Sequence, residues 1–185
     1  AIRLTTRDYA LENQLSFFDI KKQQGFLRNL IIRNTSLGEV MVIVCFGEEN
    51  EENQLGLLQF IQDTFPEINS LMYVINTKKN DTIFDLPIEL FKGKNHIIEK
   101  FEGIQYKIGP KSFFQTNSAQ ALKLLEFLVE RCEFDPGDIV YDLYTGIGSI
   151  ALFIAKHVRK VVGIEQIEEA IEDAKENAKS NQIDN

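Results

Sequence analysis

The residues with the clearest chemical potential lie in residues 140–151, which read Val-Tyr-Asp-Leu-Tyr-Thr-Gly-Ile-Gly-Ser-Ile-Ala. A strand pattern precedes Gly146 and Gly148, and a helix pattern begins at Ser149. Because glycine has no Cβ, the backbone of such a turn can approach a ligand closely, and the free amides of the next helix can donate to it. The spacing predicts a nucleotide-binding turn, and the alternative is a turn that only joins strand to helix.

Two acids flank this turn and indicate which nucleotide it binds. Asp142 lies four residues before Gly146, and Glu165 lies 19 residues after Gly146, at the end of the next strand pattern. Glu165 suits a ribose diol, which both dinucleotides and S-adenosylmethionine carry. A carboxylate at Asp142 would repel a pyrophosphate but attract the ammonium and sulfonium charges of S-adenosylmethionine. We therefore predict S-adenosylmethionine as the cofactor, and NAD in a Rossmann fragment remains the alternative.

The elements that must position these residues fall into two regions. Residues 1–108 contain a hairpin pattern, a helix and further strands, which indicates a small mixed α+β lobe; the expected elements are 27–33, 40–46, 53–65, 71–76, 96–99 and 104–108. Residues 109–185 open with a Gly-Pro loop and a helix over 118–132 that Asn117 is expected to cap. Strand and helix then alternate, as at the start of a parallel sheet. The predicted fold class is α/β.

Composition excludes several classes of protein. The 185 residues include 20 Lys and Arg against 28 Asp and Glu, a formal charge of -8, so the surface as a whole is not a nucleic-acid footprint. No apolar run reaches the roughly 18 residues of a membrane helix, and no hydrophobic signal core opens the chain. The two cysteines indicate a reducing compartment, which we expect to be the cytoplasm. The cysteines and the two histidines show no metal-binding spacing, so no metal is expected.

One local basic cluster stands out against the acidic background. Lys21, Lys22, Arg28 and Arg33 lie within 13 residues, with only Asp19 close by. Clustered Lys and Arg neutralise RNA phosphates, so these four side chains are candidates for RNA contact. A solvated charged edge is the alternative interpretation.

Four blocks together resemble one enzyme family in both order and spacing. The blocks are Lys-Ser-Phe-Phe-Gln-Thr-Asn at 111–117, Asp-Leu-Tyr-Thr-Gly-Ile-Gly-Ser at 142–149, Val-Val-Gly-Ile-Glu at 161–165 and the helix at 170–181. The family is that of the RNA uracil-C5 methyltransferases, which form 5-methyluridine in ribosomal and transfer RNA. The Phe-Phe-Gln-x-Asn form is similar to the 23S rRNA branch more than to the tRNA branch. The upstream lobe also resembles this family's central lobe.

The resemblance implies a Rossmann-like, S-adenosylmethionine-dependent methyltransferase domain over 109–185, a central lobe over 1–108, and RNA as the partner. It also implies roles for single residues: a donor contact for Gln115, a lining role for Tyr144 and a ribose contact for Glu165. The full cofactor-binding set that we expect is Gln115, Asp142, Tyr144, Gly146, Gly148, Ser149 and Glu165.

The family's chemistry also implies residues that the chain lacks. Uracil C5 is a weak nucleophile, so a cysteine thiolate adds to C6 and a base later removes the C5 proton. The Ser-Cys-Asn-Pro-like and Asp-Pro-Pro-Arg-like motifs of the family do not occur, and Cys45 and Cys132 have no matching context. We therefore expect a truncated fragment that is inactive alone and able to self-associate, with the catalytic residues beyond residue 185. The alternative is a non-catalytic nucleotide- or RNA-binding module.

Overall fold

The computed structural model describes all 185 residues and divides into two compact units. Unit 1 comprises residues 1–34 and 39–97, and unit 2 comprises residues 35–38 and 98–185. In chain order the elements are α1 (Ile2–Glu12), β1 (Leu27–Asn34), β2 (Val40–Phe46), α2 (Glu51–Thr64), β3 (Ser70–Ile75), β4 (Glu89–Gly93), β5 (Ile97–Phe101), β6 (Ile104–Ile108), α3 (Ser118–Cys132), β7 (Ile139–Leu143), α4 (Ser149–Ile154), β8 (Lys160–Ile164) and α5 (Glu168–Ser180). A short 3-10 turn, Ala155–His157, follows α4. None of the helices is both long enough and apolar enough to cross a membrane.

Unit 1 is built on a four-stranded sheet in the order β1-β2-β3-β4. β1 and β4 pair antiparallel to their neighbours, whereas β2 and β3 are parallel and are connected through α2. The β-branched run of β2 is buried along nearly its whole length, and it packs with Leu57, Leu58 and Ile61 of α2. Asn50 caps α2 by accepting from the Asn53 amide at 3.1 Å. The predicted ββαβ lobe is confirmed, and the structure adds α1 and β4.

Unit 2 contains a two-stranded sheet of β5 and β6 and a parallel pair, β7 and β8, connected through α4. Its core includes Tyr106 from β6, Leu125 from α3 and Phe153 from α4. The predicted cap of α3 is confirmed, because the Asn117 side chain accepts from the Gln120 amide at 3.1 Å.

The division into units differs from the sequence-based domains 1–108 and 109–185. β6 and all of β5 after its first residue belong to unit 2, since Tyr106 is buried in the core of that unit and β6 packs against α5. The Gly109-Pro110 pair, which suggested a boundary, lies in a loop within unit 2.

Candidate active site

The glycine turn between β7 and α4 follows an unusual backbone path. Three of its residues have left-handed φ angles: Tyr144 at 64°, Gly146 at 55° and Gly148 at 82°. The amides of Tyr144 and Thr145 both donate to the Ile164 carbonyl, at 2.8 and 3.1 Å. The turn is thereby held against the end of β8, the strand that carries the chain to Glu165.

The Asp142 carboxylate holds the glycine turn through hydrogen bonds. Its Oδ2 accepts from the Thr145 hydroxyl at 2.7 Å and from the Ala151 amide at 3.1 Å, so one carboxylate oxygen connects the turn to the start of α4. The residue is buried, but it also lines a cavity. Sequence reasoning assigned Asp142 only an electrostatic role toward the ligand, whereas the structure adds a role in organising the loop.

Glu165 organises the same turn from the β8 side. Its Oε2 accepts from the Gly146 amide at 3.1 Å, while Oε1 accepts from the amides of Gln166 and Ile167 at 2.7 and 3.0 Å. The hydrogen bonds from Ile167 and Gln166 hold the pKa of the Glu165 carboxyl below its usual value, because they stabilise the charged form. Glu165 is therefore a carboxylate at neutral pH, held at the end of its strand.

A cavity of about 160 Å³ opens beside the turn and brings together most of the predicted cofactor-binding residues. The predicted residues that line it are Gln115, Asp142, Tyr144, Gly146 and Ser149. Gly148 lines a different cavity, together with residues of α5, and Glu165 approaches the first cavity through its bond to the Gly146 amide. The Tyr144 side chain is 86% exposed at the rim.

The lining of this cavity indicates what kind of ligand fits it. Aromatic rings of Phe113 and Tyr144 stand beside one carboxylate, Asp142, and the lining includes no lysine or arginine. A Cβ built on Gly146 would meet no atom within 4 Å, so the space beside the turn is open to a ligand. A cavity with a carboxylate and no cation suits a positively charged nucleoside and disfavours a pyrophosphate.

The loop that carries Gln115 is anchored by the residues that precede Gln115. Before it, the Ser112 hydroxyl donates to Asp173 at 2.7 Å and accepts from the Gly109 amide at 3.0 Å. The Phe114 ring packs on Phe101, with ring centroids 5.5 Å apart. Phe113, in contrast, is exposed and lines the cavity.

Asn177 of α5 and Asn181, which directly follows α5, bind the backbone of β6, and Asn177 also binds the glycine turn; sequence reasoning missed these roles. Asn177 is fully buried; it accepts from the Lys107 amide at 2.8 Å and donates to the carbonyls of Lys107 and Ile147 at 3.3 and 3.2 Å. One turn later, Asn181 makes the same pair of bonds to the Gln105 amide and carbonyl, at 2.8 and 2.6 Å. The available signal was the spacing of four residues, which places both amides on one helix face.

The predicted RNA-contact residues do not form one set of available cations. The Arg28 side chain is only 2% exposed, and its guanidinium donates to Asp81 at 3.0 Å and to the Asn76 and Asn80 carbonyls at 2.8 Å each. These bonds make Arg28 an organiser of its neighbouring loop rather than an exposed phosphate ligand. Burial lowers the pKa of the partly buried Arg33, whereas Lys21 and Lys22 are exposed.

Neither cysteine has the environment of a nucleophile. Burial raises the pKa of the Cys45 thiol to about 11, so this group is protonated at neutral pH. Cys132 is exposed at the end of α3 and does not line the cavity. The chain contains no group of three or more His, Cys, Asp or Glu side chains arranged to hold a metal ion.

Comparison with known proteins gives a consistent family. The model of the family described as tRNA (Uracil-5-)-methyltransferase matches residues 35–185. An uncharacterized RNA methyltransferase of Bacteroides thetaiotaomicron is 54% identical over the whole chain, and one of Porphyromonas gingivalis is 46% identical. The chain spans 41% and 40% of the length of these two relatives.

Solved structures agree with the fold. The tRNA (uracil-54, C5)-methyltransferase of Pyrococcus abyssi, in complex with S-adenosyl-L-homocysteine, is 31% identical with a TM-score of 0.75 over 96% of the chain and 43% of that protein. A tRNA m1G37 methyltransferase of M. jannaschii, 15% identical with a TM-score of 0.57, shares the fold over 98% of the chain and 49% of that protein. The predicted α/β class, with a mixed lobe and a Rossmann-like methyltransferase unit, is confirmed.

Proposed function

The chain belongs to the tRNA (uracil-5-)-methyltransferase family, and on that premise we propose that it forms the donor-binding part of an S-adenosylmethionine-dependent enzyme that methylates C5 of uridine in RNA. The observation that carries this proposal is the cavity beside the glycine turn. It is lined by Gln115, Asp142 and Tyr144 and by no basic side chain. The proposal covers activity, cofactor and substrate of the longer protein, because the relatives are more than twice as long as this chain.

Each residue of the proposed donor site has a role that follows from its chemistry. S-adenosylmethionine supplies a methyl group on a positively charged sulfur. Asp142 attracts that cationic ligand, since its second carboxylate oxygen, Oδ1, accepts no bond from the turn. Glu165, held as a carboxylate, keeps lone pairs for ribose hydroxyls. Gln115 offers an amide donor and acceptor, and Tyr144 offers an apolar wall.

The nucleophile and the base belong, in this proposal, to other parts of the longer protein. Addition to uracil C6 needs a thiolate, and the buried Cys45 thiol has a pKa of about 11. Cys132 does not line the donor cavity. The 185 residues alone are therefore proposed to bind donor without transferring methyl groups.

The proposal also specifies which RNA is methylated. The Phe-Phe-Gln-x-Asn form at 113–117 favours 23S rRNA, whereas the similar P. abyssi enzyme acts on tRNA. The longer protein, incubated with labelled donor and either 23S rRNA or tRNA transcripts, distinguishes the two. Label in the tRNA alone would contradict the 23S assignment and leave the RNA methyltransferase proposal intact.

Calorimetric titration of the chain with S-adenosylhomocysteine and, separately, with NAD tests the donor site. We expect binding of S-adenosylhomocysteine only. Replacing Gln115 by alanine should weaken binding roughly 3- to 10-fold, the usual value of one hydrogen bond. Gln120→Ala is the matched control, because Gln120 is also exposed but does not line the cavity.

Two outcomes of the titration would contradict the proposal. Binding of NAD without S-adenosylhomocysteine would make unit 2 a dinucleotide-binding fragment. If neither ligand binds, the glycines form a turn that only joins β7 to α4.

A further inference from the structure

A second cavity, of about 210 Å³, lies within unit 1 and belongs to no part of the proposed donor site. α1, the segment before β1, and strands β1 and β2 form its walls. Its lining combines basic and apolar side chains: Arg3, Thr6, Arg7, Phe17, Leu27, Arg28, Asn29, Leu30 and Val44. We propose that this cavity binds a phosphate of single-stranded RNA and that the neighbouring base lies against Phe17.

The charge of the lining is the first support. Three arginines line the cavity and no carboxylate does, although the chain as a whole carries a charge of -8. The Arg28 donors are used within the chain, but Arg3 and Arg7 are exposed and form no ion pair. Two unpaired guanidiniums at one cavity match the bidentate geometry of a phosphate.

The distribution of charge around α1 agrees with a phosphate site. At 100° per residue, the acidic residues Asp8 and Glu12 lie roughly 100° to 180° around the helix axis from Arg3 and Arg7. The first turn of α1 contains no acidic residue. The helix therefore presents its positive side chains to the cavity and its negative ones elsewhere.

An unpaired buried hydroxyl is an independent observation at the same place. Thr6 is 5% exposed and lines the cavity, and its Oγ1 has no hydrogen-bond partner within the chain. Buried hydroxyls are normally paired, because leaving one unpaired is costly. In this proposal, rotation of the Thr6 side chain brings the hydroxyl to an oxygen of the bound phosphate.

The aromatic and apolar part of the lining selects single-stranded RNA among polyanions. The Phe17 ring is 48% exposed at the cavity, next to Leu27 and Leu30. Unstacked bases of single strands stack on such rings, whereas the bases of a duplex are not accessible. The arginines suit a phosphate inside the cavity, and Phe17 suits a base at its rim.

Fluorescence anisotropy with a labelled oligouridylate of about 10 nucleotides, at a series of salt concentrations, tests the inference. The double variant Arg3→Ala/Arg7→Ala should bind at least about tenfold more weakly. Its salt slope should fall by about 1.4, since each phosphate charge that is no longer neutralised lowers the slope by about 0.7. The matched control is Lys79→Ala/Lys92→Ala, which removes two charges from exposed lysines of unit 1 that lie outside this cavity.

The aromatic contact has its own pair of variants. Phe17→Ala should weaken binding of the single strand but leave the weaker binding of an RNA duplex unchanged. Phe84→Ala, which removes another exposed ring of unit 1, should bind both RNAs like the unmodified chain. Equal reductions in affinity for the arginine and lysine double variants, or no reduction for the arginine variant, would overturn the inference.

The inference rests on the proposed function for its choice of RNA as the ligand. Different experimental results would nevertheless contradict the RNA cavity and the donor site. Loss of RNA binding in the arginine variant with unchanged binding of S-adenosylhomocysteine supports the cavity as a distinct site. A chain that binds RNA through the arginines but never binds S-adenosylhomocysteine overturns the donor proposal alone. A chain that binds S-adenosylhomocysteine but shows no arginine-dependent RNA binding overturns the cavity alone.

Discussion

At the scale of single residues, Tyr144 combines a left-handed φ of 64° with an almost fully exposed ring. A left-handed backbone costs an L-residue roughly 1 to 2 kcal/mol, and glycine does not carry this cost. Tyr144→Gly should therefore raise the free energy of unfolding by about 1 kcal/mol relative to Tyr144→Ala, as measured by urea denaturation. Both variants remove the ring and should bind S-adenosylhomocysteine more weakly.

The two substitutions separate strain from packing at this residue. If Tyr144→Gly is no more stable than Tyr144→Ala, the left-handed conformation carries no cost there. If both variants keep full affinity, the ring has no part in the donor site. We expect Tyr144→Gly to be more stable than Tyr144→Ala and to bind S-adenosylhomocysteine more weakly than the unmodified chain. This combination is typical of strain retained at a functional position.

Glu99 is a buried carboxylate with a complete set of donors. It accepts from the Ser36 amide at 3.0 Å, the Lys100 amide at 2.9 Å and the hydroxyls of Ser36 and Ser118. Burial alone would raise the pKa of Glu99, but the hydrogen bonds from Ser118 and Ser36 outweigh it, and the pKa lies below its usual value. The carboxylate thus connects the residue 35–38 turn to the start of α3.

The lowered pKa determines how stability depends on pH. A carboxyl group with a folded pKa below its unfolded value of about 4.3 stabilises the fold above that pH, and this stability is lost as the pH falls through the folded pKa. Glu99→Gln should lower the melting temperature at pH 7, and the difference from the unmodified chain should shrink as the pH falls below about 4. Glu130→Gln, at an exposed site of α3, is the control, and a pH-independent difference for Glu99→Gln would contradict the assignment.

At the scale of elements, Asn177 of α5 and Asn181, which directly follows α5, bind the backbone of β6 as a neighbouring strand would. Asn177→Ala leaves the partly buried amide and carbonyl of Lys107 and the buried carbonyl of Ile147 unpaired, so we expect a loss of about 2 to 4 kcal/mol in urea denaturation. Asn181→Ala is the matched control, because its bonds are solvent-exposed and their removal should cost about 1 kcal/mol or less.

The same pair of variants tests whether α5 positions the site. Asn177 also donates to the Ile147 carbonyl in the glycine turn, whereas Asn181 does not contact that turn. Asn177→Ala should therefore weaken S-adenosylhomocysteine binding and Asn181→Ala should not. If Asn177→Ala fails to fold, Asn177→Asp, which keeps an acceptor for the Lys107 amide, allows the same comparison.

Elements with a strong local pattern were predictable from the sequence. α3 has the predicted bounds 118–132, because its apolar pattern and the Asn117 cap define it locally. α1 was missed because its buried face consists of small and polar residues such as Thr6 and Ala10, and no side chain caps it. β4 was missed because it is an edge strand whose residues are largely exposed.

The candidate site was likewise predictable only where its residues lie in local sequence motifs. Five predicted residues line one cavity because the motifs that contain them are local in sequence. The bonds from Ser112 to Asp173 and from Asn177 to Lys107 join residues 61 and 70 positions apart, so no spacing rule could reveal them. The Arg28 side chain is saturated by a loop about 50 residues away, and for the same reason sequence reasoning could not exclude it as an RNA contact.

At the scale of the whole molecule, the charges are sorted by site rather than spread evenly. The donor cavity in unit 2 has a carboxylate and no cation in its lining, whereas the cavity in unit 1 has three arginines and no carboxylate. The overall charge of -8 therefore says little about either cavity. Local sorting of this kind allows one acidic chain to offer one site for a cation and another for an anion.

Unit 2 also exposes an apolar sheet face. Ile139, Tyr141 and Leu143 alternate along β7 and so share one face, and Ile164 of β8 lies beside Leu143; all four are exposed. An exposed apolar patch of this kind favours association. We expect this chain to self-associate as its concentration rises, measured by size-exclusion chromatography with light scattering.

Charged residues on the exposed β7 face should prevent this self-association. Tyr141→Lys/Leu143→Lys should shift the chain toward the monomer at every concentration, since association would then bury two ammonium groups without partners. Leu37→Lys/Leu55→Lys makes the same chemical change at exposed leucines outside this face and should leave association unchanged. Equal effects of the two pairs would mean that net charge, not the β7 face, controls association, and a concentration-independent monomer would show that the exposed face is too small to drive it.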